Sequence, residues 1–297
     1  MAELTGKAIS ELPAATTIND TDLLALSQNG ASKKITPPVL LSEVKGEISG
    51  LSGSLATYVR PNLLDNWYFV RGKAQDGVAS FPINQRGQGS YSGAVYNIDR
   101  WVSGNANCMV ALGYNNYIVI KSSAAGGQNL LMQYFENKEM FAGKTVIISA
   151  IINNTLVQST IPIPADSSTW GSTIGTGSDA SGGCAVYLRY LGSKLCFVFF
   201  ATSSYVANTN VLIQAAKIEI GDTQTLAHQV GSAWVLNEMP NHAEQLARCQ
   251  RFFQMFRTQA LRPTYGADCR PVMASETPTA GTITSGSVTY YTLSSDL

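Results

Sequence analysis

Residues 185–201 read AVYLRYLGSKLCFVFFA, and this stretch contains two apolar runs of strand length. AVYLRYL and LCFVFFA are rich in aromatic and β-branched side chains, which favour β-strands over helices. Similar runs follow the same pattern: YIVIKS (117–122), TVIISAII (145–152) and VLIQAAKIEI (211–220). Many short strands with almost no helical periodicity predict a mainly β chain, and specifically a jelly-roll β-sandwich.

Polar loops separate these runs, for example ADSSTWGSTIGTGSDASGG (165–183) and TSSYVANT (202–209). Glycine, serine and asparagine are the residues that tight turns and surface loops require. We therefore expect one sandwich domain over residues 61–297.

A helix is expected near the C-terminal end of that domain, in PNHAEQLARCQRFFQ (240–254). Asn241 is a good N-cap residue, and Glu244 three positions later resembles a capping box. Leu246, Cys249 and Phe253 would form the apolar face. The final segment, 278–297, alternates as strands do, and we expect its strands to join the same sheets.

The N-terminal segment, 1–42, predicts a small β adaptor. DLLALS (22–27) and KKIT (33–36) flank Asn29-Gly30, a pair typical of two-residue hairpin turns. Pro37-Pro38 then ends the second strand.

Residues 43–60 predict a short helix with a narrow apolar seam. The seam residues recur at steps of three and four: Val44, Ile48, Leu51, Leu55 and Val59. Three glycines weaken this helix, so we expect it to persist only where copies from several chains pack together, as a trimeric coiled coil. A flexible polar linker with chance spacing is the alternative.

Composition excludes several classes of function. Lys+Arg and Asp+Glu each number 20, so no net charge attracts nucleic acid. No apolar run is long enough to span a bilayer, and MAELTGKAISELP lacks the features of a signal peptide. The five cysteines are scattered without a CxxC pair, which predicts neither a disulfide framework nor a zinc site, and no cofactor is expected.

The polar stretch INQRGQGSYSGAVYNIDRW (83–101) is the candidate for chemistry. As a strand, YNIDRW would place Asn97, Asp99 and Trp101 on one face and Arg100 on the other. A buried Asp99 needs a cationic partner, and Arg86 is the nearest in sequence. We predict a structural pair of Arg86 and Asp99, with an exposed ligand site as the alternative. A catalytic centre would need a second acid or base, and the two histidines, His228 and His242, lie far along the chain.

Aromatic residues give two further expectations. Trp67 and Trp101 lie in strand-like runs and are expected in the core. Trp170 and Tyr205 lie in polar loops, where an aromatic ring can stack on a sugar; packing of these rings onto their own sandwich is the alternative.

Several phrases resemble bacteriophage tail fibre and tail appendage proteins. ISELPAATTINDTDLLALSQNGASKKIT (9–36) is similar to their N-terminal attachment segment. The later phrases are similar to jelly-roll domains of such proteins, which are themselves similar to carbohydrate-binding modules: NLLDNWYFV, INQRGQGSYSGAVYNIDRW, FAGKTVIISAII, AKIEIGDTQTLAHQVG and EQLARCQRFFQ. VIISAII and TLAHQV depart from the usual pattern, so details of a sugar-facing surface do not carry over.

The resemblance implies a non-enzymatic virion protein, assembled in the bacterial cytoplasm. Residues 1–42 would attach it to other tail or baseplate proteins, and the chain would form a homotrimer that binds host surface polysaccharide. A tail or collar connector without a ligand of its own is the second reading. A glycan-degrading tail spike is the third, disfavoured because the sequence lacks a repeated β-helix pattern.

Overall fold

The computed structural model describes residues 24–28, 31–36, 59–70, 82–86, 90–93, 95–112, 117–180, 182–256, 279–285 and 287–295. The chain divides into two compact units, residues 1–58 and 59–297. In the first unit, β1 (Leu24–Gln28) pairs antiparallel with β2 (Ala31–Ile35), with Gln28 opposite Ala31. This register confirms the hairpin that Asn29-Gly30 predicts.

The second unit contains a five-stranded antiparallel sheet in the order β10-β11-β12-β7-β4. Its strands are β4 (Val102–Ser103), β7 (Gln128–Tyr134), β10 (Thr173–Thr176), β11 (Cys184–Leu191) and β12 (Lys194–Ala201). Residues 185–201 lie in the β11–β12 hairpin, with Leu191 opposite Lys194.

A six-stranded antiparallel sheet has the order β3-β5-β6-β13-β8-β9. Its strands are β3 (Ser90–Ser92), β5 (Cys108–Leu112), β6 (Ile118–Ser122), β8 (Thr145–Ile152), β9 (Thr155–Pro162) and β13 (Val211–Ile220). Asn153 and Asn154 connect β8 to β9 with φ of 49° and 58°. Two consecutive left-handed residues make the tight turn that matches strand twist.

The two sheets pack face to face as a β-sandwich with jelly-roll-like sheets, as predicted. Alternate residues point into the core: Cys184, Val186 and Leu188 from β11 pack with Ile148 and Ile218 of the other sheet. Trp101, Phe69, Phe197 and Phe199 form its aromatic centre, with Trp101 and Phe69 ring centroids 5.2 Å apart. Trp67 is also buried, so both tryptophans expected in the core lie there.

The predicted C-terminal helix is present as α1 (His242–Gln250), and the Asn241 side chain caps it by accepting from the Ala243 N–H. Its buried face differs from the prediction. Gln245 and Cys249 are the buried helical residues, Leu246 is half-buried, and Phe253 is buried in a strand after the helix ends. No helix among the described residues is long and apolar enough to cross a membrane.

The final strands do not join the sandwich sheets, so that expectation is wrong. β16 (Phe253–Phe256), β17 (Thr279–Ser285) and β18 (Val288–Ser294) form a separate three-stranded sheet in the order β16-β18-β17. The chain turns from α1 directly into β16, whose edge pairs with β18. β14 (Ala227–Val230) and β15 (Ala233–Leu236) form a further two-stranded hairpin.

The four described cysteines, Cys108, Cys184, Cys196 and Cys249, are buried and free. Burial raises the pKa of the Cys108 thiol to about 12 and that of Cys196 to about 12. At about pH 8 these thiols are protonated, and only the thiolate reacts rapidly. In a Cys269→Ser variant, we expect alkylation of the native protein to be at least about 100-fold slower than in denaturing urea.

Mass spectrometry of the alkylated chain measures the alkylation rate of each cysteine in native and in denaturing conditions. Rapid labelling of Cys196 under native conditions would contradict the burial described here.

Candidate functional site

The predicted strand YNIDRW is a tight turn instead. The Trp101 N–H donates to the Ile98 carbonyl at 2.9 Å, and the Asn97 N–H donates to the Trp101 carbonyl at 2.8 Å. Arg100 has a φ of 73°. Because the turn breaks the two-residue alternation, residues 97–101 are all buried and the predicted division into two faces is wrong.

Arg86 and Asp99 nevertheless lie together. Arg86 Nε is 3.9 Å from Asp99 Oδ1, and the Asp99 side chain is 1% exposed. The Gln85 N–H donates to Asp99 Oδ2 at 2.8 Å, and the Arg86 guanidinium lies 4.0 Å from the centroid of the Phe253 ring. The Asp99 carboxylate is thus buried and bonded to the backbone, while the structural role of the pair stays a prediction.

Asn66 is the centre of the same network and was missed by the sequence analysis. It has a φ of 50° and is fully buried. Its Oδ1 accepts from the Ile83 N–H at 2.9 Å, and its Nδ2 donates to the carbonyls of Ile83 (3.0 Å) and Asp99 (2.9 Å). Its backbone accepts from Trp101 Nε1 at 3.0 Å and donates to Gln245 Oε1 at 2.7 Å. One asparagine therefore joins three chain segments and α1.

The neighbouring residue, Asp65, forms an ion pair with Arg100. Arg100 Nε donates to Asp65 Oδ2 at 3.0 Å, and its Nη2 donates to the Tyr134 carbonyl at 2.8 Å. The Arg100 guanidinium lies 3.3 Å from the Phe252 ring centroid and its side chain is 3% exposed. Gln133 binds both the Asp65 N–H and its carbonyl at 2.7 Å. The position of the Asp65 carboxylate is therefore fixed.

A cleft of about 230 Å³ opens beside this ion pair; we call it the arginine cleft. Its charged lining is Asp65, Arg100, Glu136, Arg248 and Arg251. Arg251 binds both oxygens of Glu136, at 2.9 and 2.8 Å. Arg248 donates to Glu244 at 2.7 Å and its Nη1 is 3.7 Å from Asp65 Oδ1. Leu63, Phe135 and Met140 supply an apolar wall.

The outer face of the five-stranded sheet is a second candidate surface, which we call the aromatic face. It carries an apolar cluster separate from the core, formed by Val102, Met132, Tyr134, Tyr187, Leu191, Cys196, Val198 and Phe200. The rings of Tyr187 and Phe200 stack at 4.4 Å with planes 14° apart. Arg189 lies 5.5 Å from the Phe200 centroid, and Lys194 lies 5.6 Å from that of Tyr134. The face thus combines aromatic rings with cationic hydrogen-bond donors.

The two-residue alternation of β-strands, applied to residues 184–201, predicts which side chains form this face. In β11 and β12 every second residue points away from the core, and those residues include Tyr187, Arg189 and Phe200. Hydrophobicity alone does not distinguish the outward-facing residues from the inward-facing ones, because both faces of these strands carry apolar residues.

The two loop aromatics predicted to contact sugar are buried, so that prediction is wrong. Trp170 is 7% exposed, donates from Nε1 to the Pro164 carbonyl at 2.9 Å, and packs edge-on against Tyr190. Tyr205 is 2% exposed, and its hydroxyl accepts from the Ser122 N–H and donates to the Thr209 carbonyl, each at 2.8 Å. Both rings fasten loops onto their own sandwich, which is the alternative given above.

The predicted trimer seam falls almost wholly outside the described residues. Val44, Ile48, Leu51 and Leu55 are not described. Val59 is described, is half-buried, and lies in neither helix nor strand. The seam stays a prediction.

The arginine cleft and the aromatic face are the two candidate binding surfaces among the described residues. Within the described ranges, no group of three or more His, Cys, Asp and Glu side chains could hold a metal ion. Comparison of the chain with protein-family models, with curated proteins and with solved structures gives no match.

Asp99→Ala tests the structural pair. Removing the carboxylate leaves the half-buried Gln85 N–H without its acceptor and takes away the negative charge 3.9 Å from Arg86, so we expect the free energy of unfolding to fall by about 1–3 kcal/mol. Urea denaturation measures the change. Asp222→Ala, at an exposed position, is the control and should change stability by less than about 0.5 kcal/mol. An unaltered Asp99→Ala midpoint would contradict the structural role.

Tyr205→Phe tests the loop anchor. The Ser122 N–H and the Thr209 carbonyl lose a buried partner, so we expect a loss of about 1–3 kcal/mol of stability without loss of ligand binding. Tyr187→Phe is the matched control, since the Tyr187 hydroxyl forms no hydrogen bond to a described residue. Equal stability of the two variants, measured by thermal unfolding, would argue against the anchor.

Proposed function

We propose that the chain is a structural and adhesive protein of a bacteriophage tail, a tail fibre or baseplate appendage that binds host surface glycans without cleaving them. The aromatic face is the observation that carries this proposal. The resemblance of the N-terminal and sandwich phrases to tail appendage proteins supplies the biological setting.

The chemistry of the aromatic face suits a glycan. The outer face of an antiparallel sheet is ordinarily polar, so a clustered apolar outer face marks an interaction surface. Sugar rings present C–H groups that pack on aromatic rings, and their hydroxyls need donors and acceptors at the rim. Tyr187, Phe200 and Tyr134 supply the rings. Arg189, which donates to Asn129 at 2.7 Å, supplies polar groups beside them.

Assembly would convert weak contacts into firm attachment. In this proposal residues 1–42 attach to other tail or baseplate proteins, and residues 43–60 gather the chains into a homotrimer. Several copies then bind one polysaccharide surface, and linked sites gain avidity of about 100-fold or more without new contacts. The protein would act in the virion after assembly in the bacterial cytoplasm.

A tail or collar connector is the second candidate, favoured by the aliphatic part of the same face. Met132, Cys196 and Val198 are buried within it. A face of this composition can also bury against another protein chain. A substitution on the aromatic face should remove glycan binding if the chain is an adhesive protein. It should remove binding to another protein chain if the chain is a connector.

Tyr187→Ala is the test. We expect at least about tenfold weaker capture of the polysaccharide that the full-length chain binds, because one stacking ring is lost. The strongest ligand from a glycan array, or intact host cells, serves as probe. Tyr290→Ala, which removes a half-buried tyrosine from the separate three-stranded sheet, is the control and should retain binding.

Light scattering on the same variants distinguishes the candidates. Loss of glycan capture with an unchanged oligomer supports adhesion. Dissociation of the oligomer, with no glycan bound by the original chain, would replace adhesion by the connector function.

A further inference from the structure

We infer that the glycan bound by the aromatic face is anionic, and that Arg189 and Lys194 are the residues that select it. The inference rests on the proposed function, whose ligand it narrows to one chemical class. Three properties of the face lead to it: its charge, the partners of Arg189, and the aromatic rings beside both cations.

The strands of the five-stranded sheet carry positive charge only. They contain Arg189 and Lys194 and no aspartate or glutamate. Both side chains belong to the outward set, since Arg189 lies two residues after Tyr187 and Lys194 lies two residues before Cys196. Neither cation forms an ion pair with a residue that the structure describes. Unbalanced cations on one surface attract an anionic ligand.

Carboxylates near the ends of these strands do not balance the two cations. Glu136 follows β7, but Arg251 holds both of its oxygens, at 2.9 and 2.8 Å. Asp99 precedes β4 and is buried. Asp179 precedes β11 and accepts from the Thr202 hydroxyl at 2.7 Å. Counting Asp179 against the two cations still leaves the face with one net positive charge.

The arginine cleft has no such excess. Each of its three guanidiniums bonds a carboxylate: Arg100 bonds Asp65, Arg248 bonds Glu244, and Arg251 bonds Glu136. We therefore place the anion on the aromatic face and not in the cleft.

Arg189 lies over the aromatic face and is held there by neutral groups. Its Nη1 donates to Asn129 Oδ1 at 2.7 Å, and its Nε donates to the Ser172 carbonyl at 3.3 Å. Because Asn129 belongs to β7, the Arg189 side chain reaches from β11 across β12. Its Nη2 forms no hydrogen bond to a described residue. This nitrogen is an oriented donor for a carboxylate or phosphate oxygen, the groups that arginine binds most strongly.

Aromatic rings lie beside both cations. The Arg189 guanidinium is 5.5 Å from the centroid of the Phe200 ring, which stacks on Tyr187. Lys194 is 5.6 Å from the centroid of the Tyr134 ring. A sugar ring packed on Phe200 can therefore place an acidic substituent next to Arg189, where the apolar surroundings strengthen the attraction between opposite charges. A polymer that repeats its charge can contact Arg189 and Lys194 together.

Biolayer interferometry of the full-length chain on immobilised polymers tests the inference. The probes are polygalacturonate, its methyl ester, and phosphomannan. The ester keeps the rings of polygalacturonate and removes the charge. We expect one of the two anionic polymers to bind at least about tenfold more tightly than the ester, and the stronger of them identifies carboxylate or phosphate as the recognised group. Equal affinity for the ester, or equal affinity for oligothymidylate, would overturn the inference.

Arg189→Gln should weaken binding of the preferred anionic polymer at least about tenfold and leave binding of the ester unchanged. Lys194→Gln should weaken it about threefold, because Lys194 is exposed and its charge is more strongly screened. Thermal unfolding shows whether Arg189→Gln is folded; Lys194 forms no hydrogen bond to a described residue, so Lys194→Gln removes a charge alone. Lys144→Gln, at an exposed position just before β8, is the control and should bind as the original chain does. Unaltered binding by both face variants would refute the selection by charge.

Two results distinguish failure of the charge assignment from failure of the proposed function. Capture of neutral array glycans that is lost in Tyr187→Ala, without preference for an anionic polymer, would defeat the charge assignment alone. Capture of no glycan, acidic or neutral, would defeat the proposed function itself.

Discussion

The hydrogen bonds of one buried asparagine hold the end of the sandwich together. Asn66 pairs with backbone groups of Ile83 and Asp99, accepts from Trp101, and donates to Gln245. Buried backbone groups without partners are costly, so these irregular segments can enter the core only if such a side chain satisfies them. The network replaces the strand pairing that the segments lack. The aromatic centre at Trp101 and the docking of α1 both depend on it.

The arginine cleft and the aromatic face follow from this arrangement and from strand alternation. The arginine cleft lies between α1 and the segment that carries Asp65, so its charges are placed by the same contacts that seat Asn66 and Gln245. The aromatic face is the outward set of β7, β11 and β12, whose inward set forms the core. A rigid sandwich thus presents one apolar, ring-bearing surface and one charged recess. Binding sites on regular strands and buried networks are held more precisely than sites on loops.

Sequence alone predicted the strands, the Asn29-Gly30 hairpin and the Asn241 cap, because each has a local cause in β-branched runs, turn geometry or a side-chain acceptor. Sequence-based prediction failed where the conformation of a segment depends on contacts with residues distant in the sequence. The turn at 97–101 needs Arg100 in the left-handed conformation, which contacts from elsewhere in the chain stabilise. Trp170 and Tyr205 lie in polar loop sequences, but both side chains are buried in the folded sandwich. Arg86 and Asp99 were found since burial of a charge demands a partner, whereas Asn66 carries no comparable signal.

The β8–β9 hairpin has a consequence for how the six-stranded sheet is built. Its strands are joined by Asn153 and Asn154 alone, so their pairing closes a very short loop. The opposite edge of β8 pairs with β13, whose residues follow some 60 positions later. Short loops close with far less loss of chain entropy than long ones. The β8–β9 hairpin can therefore form during synthesis, and β13 can pair with β8 afterwards. If the chains assemble as the proposed homotrimer, this order lets the hairpin pair within its own chain before neighbouring copies can exchange strands with it.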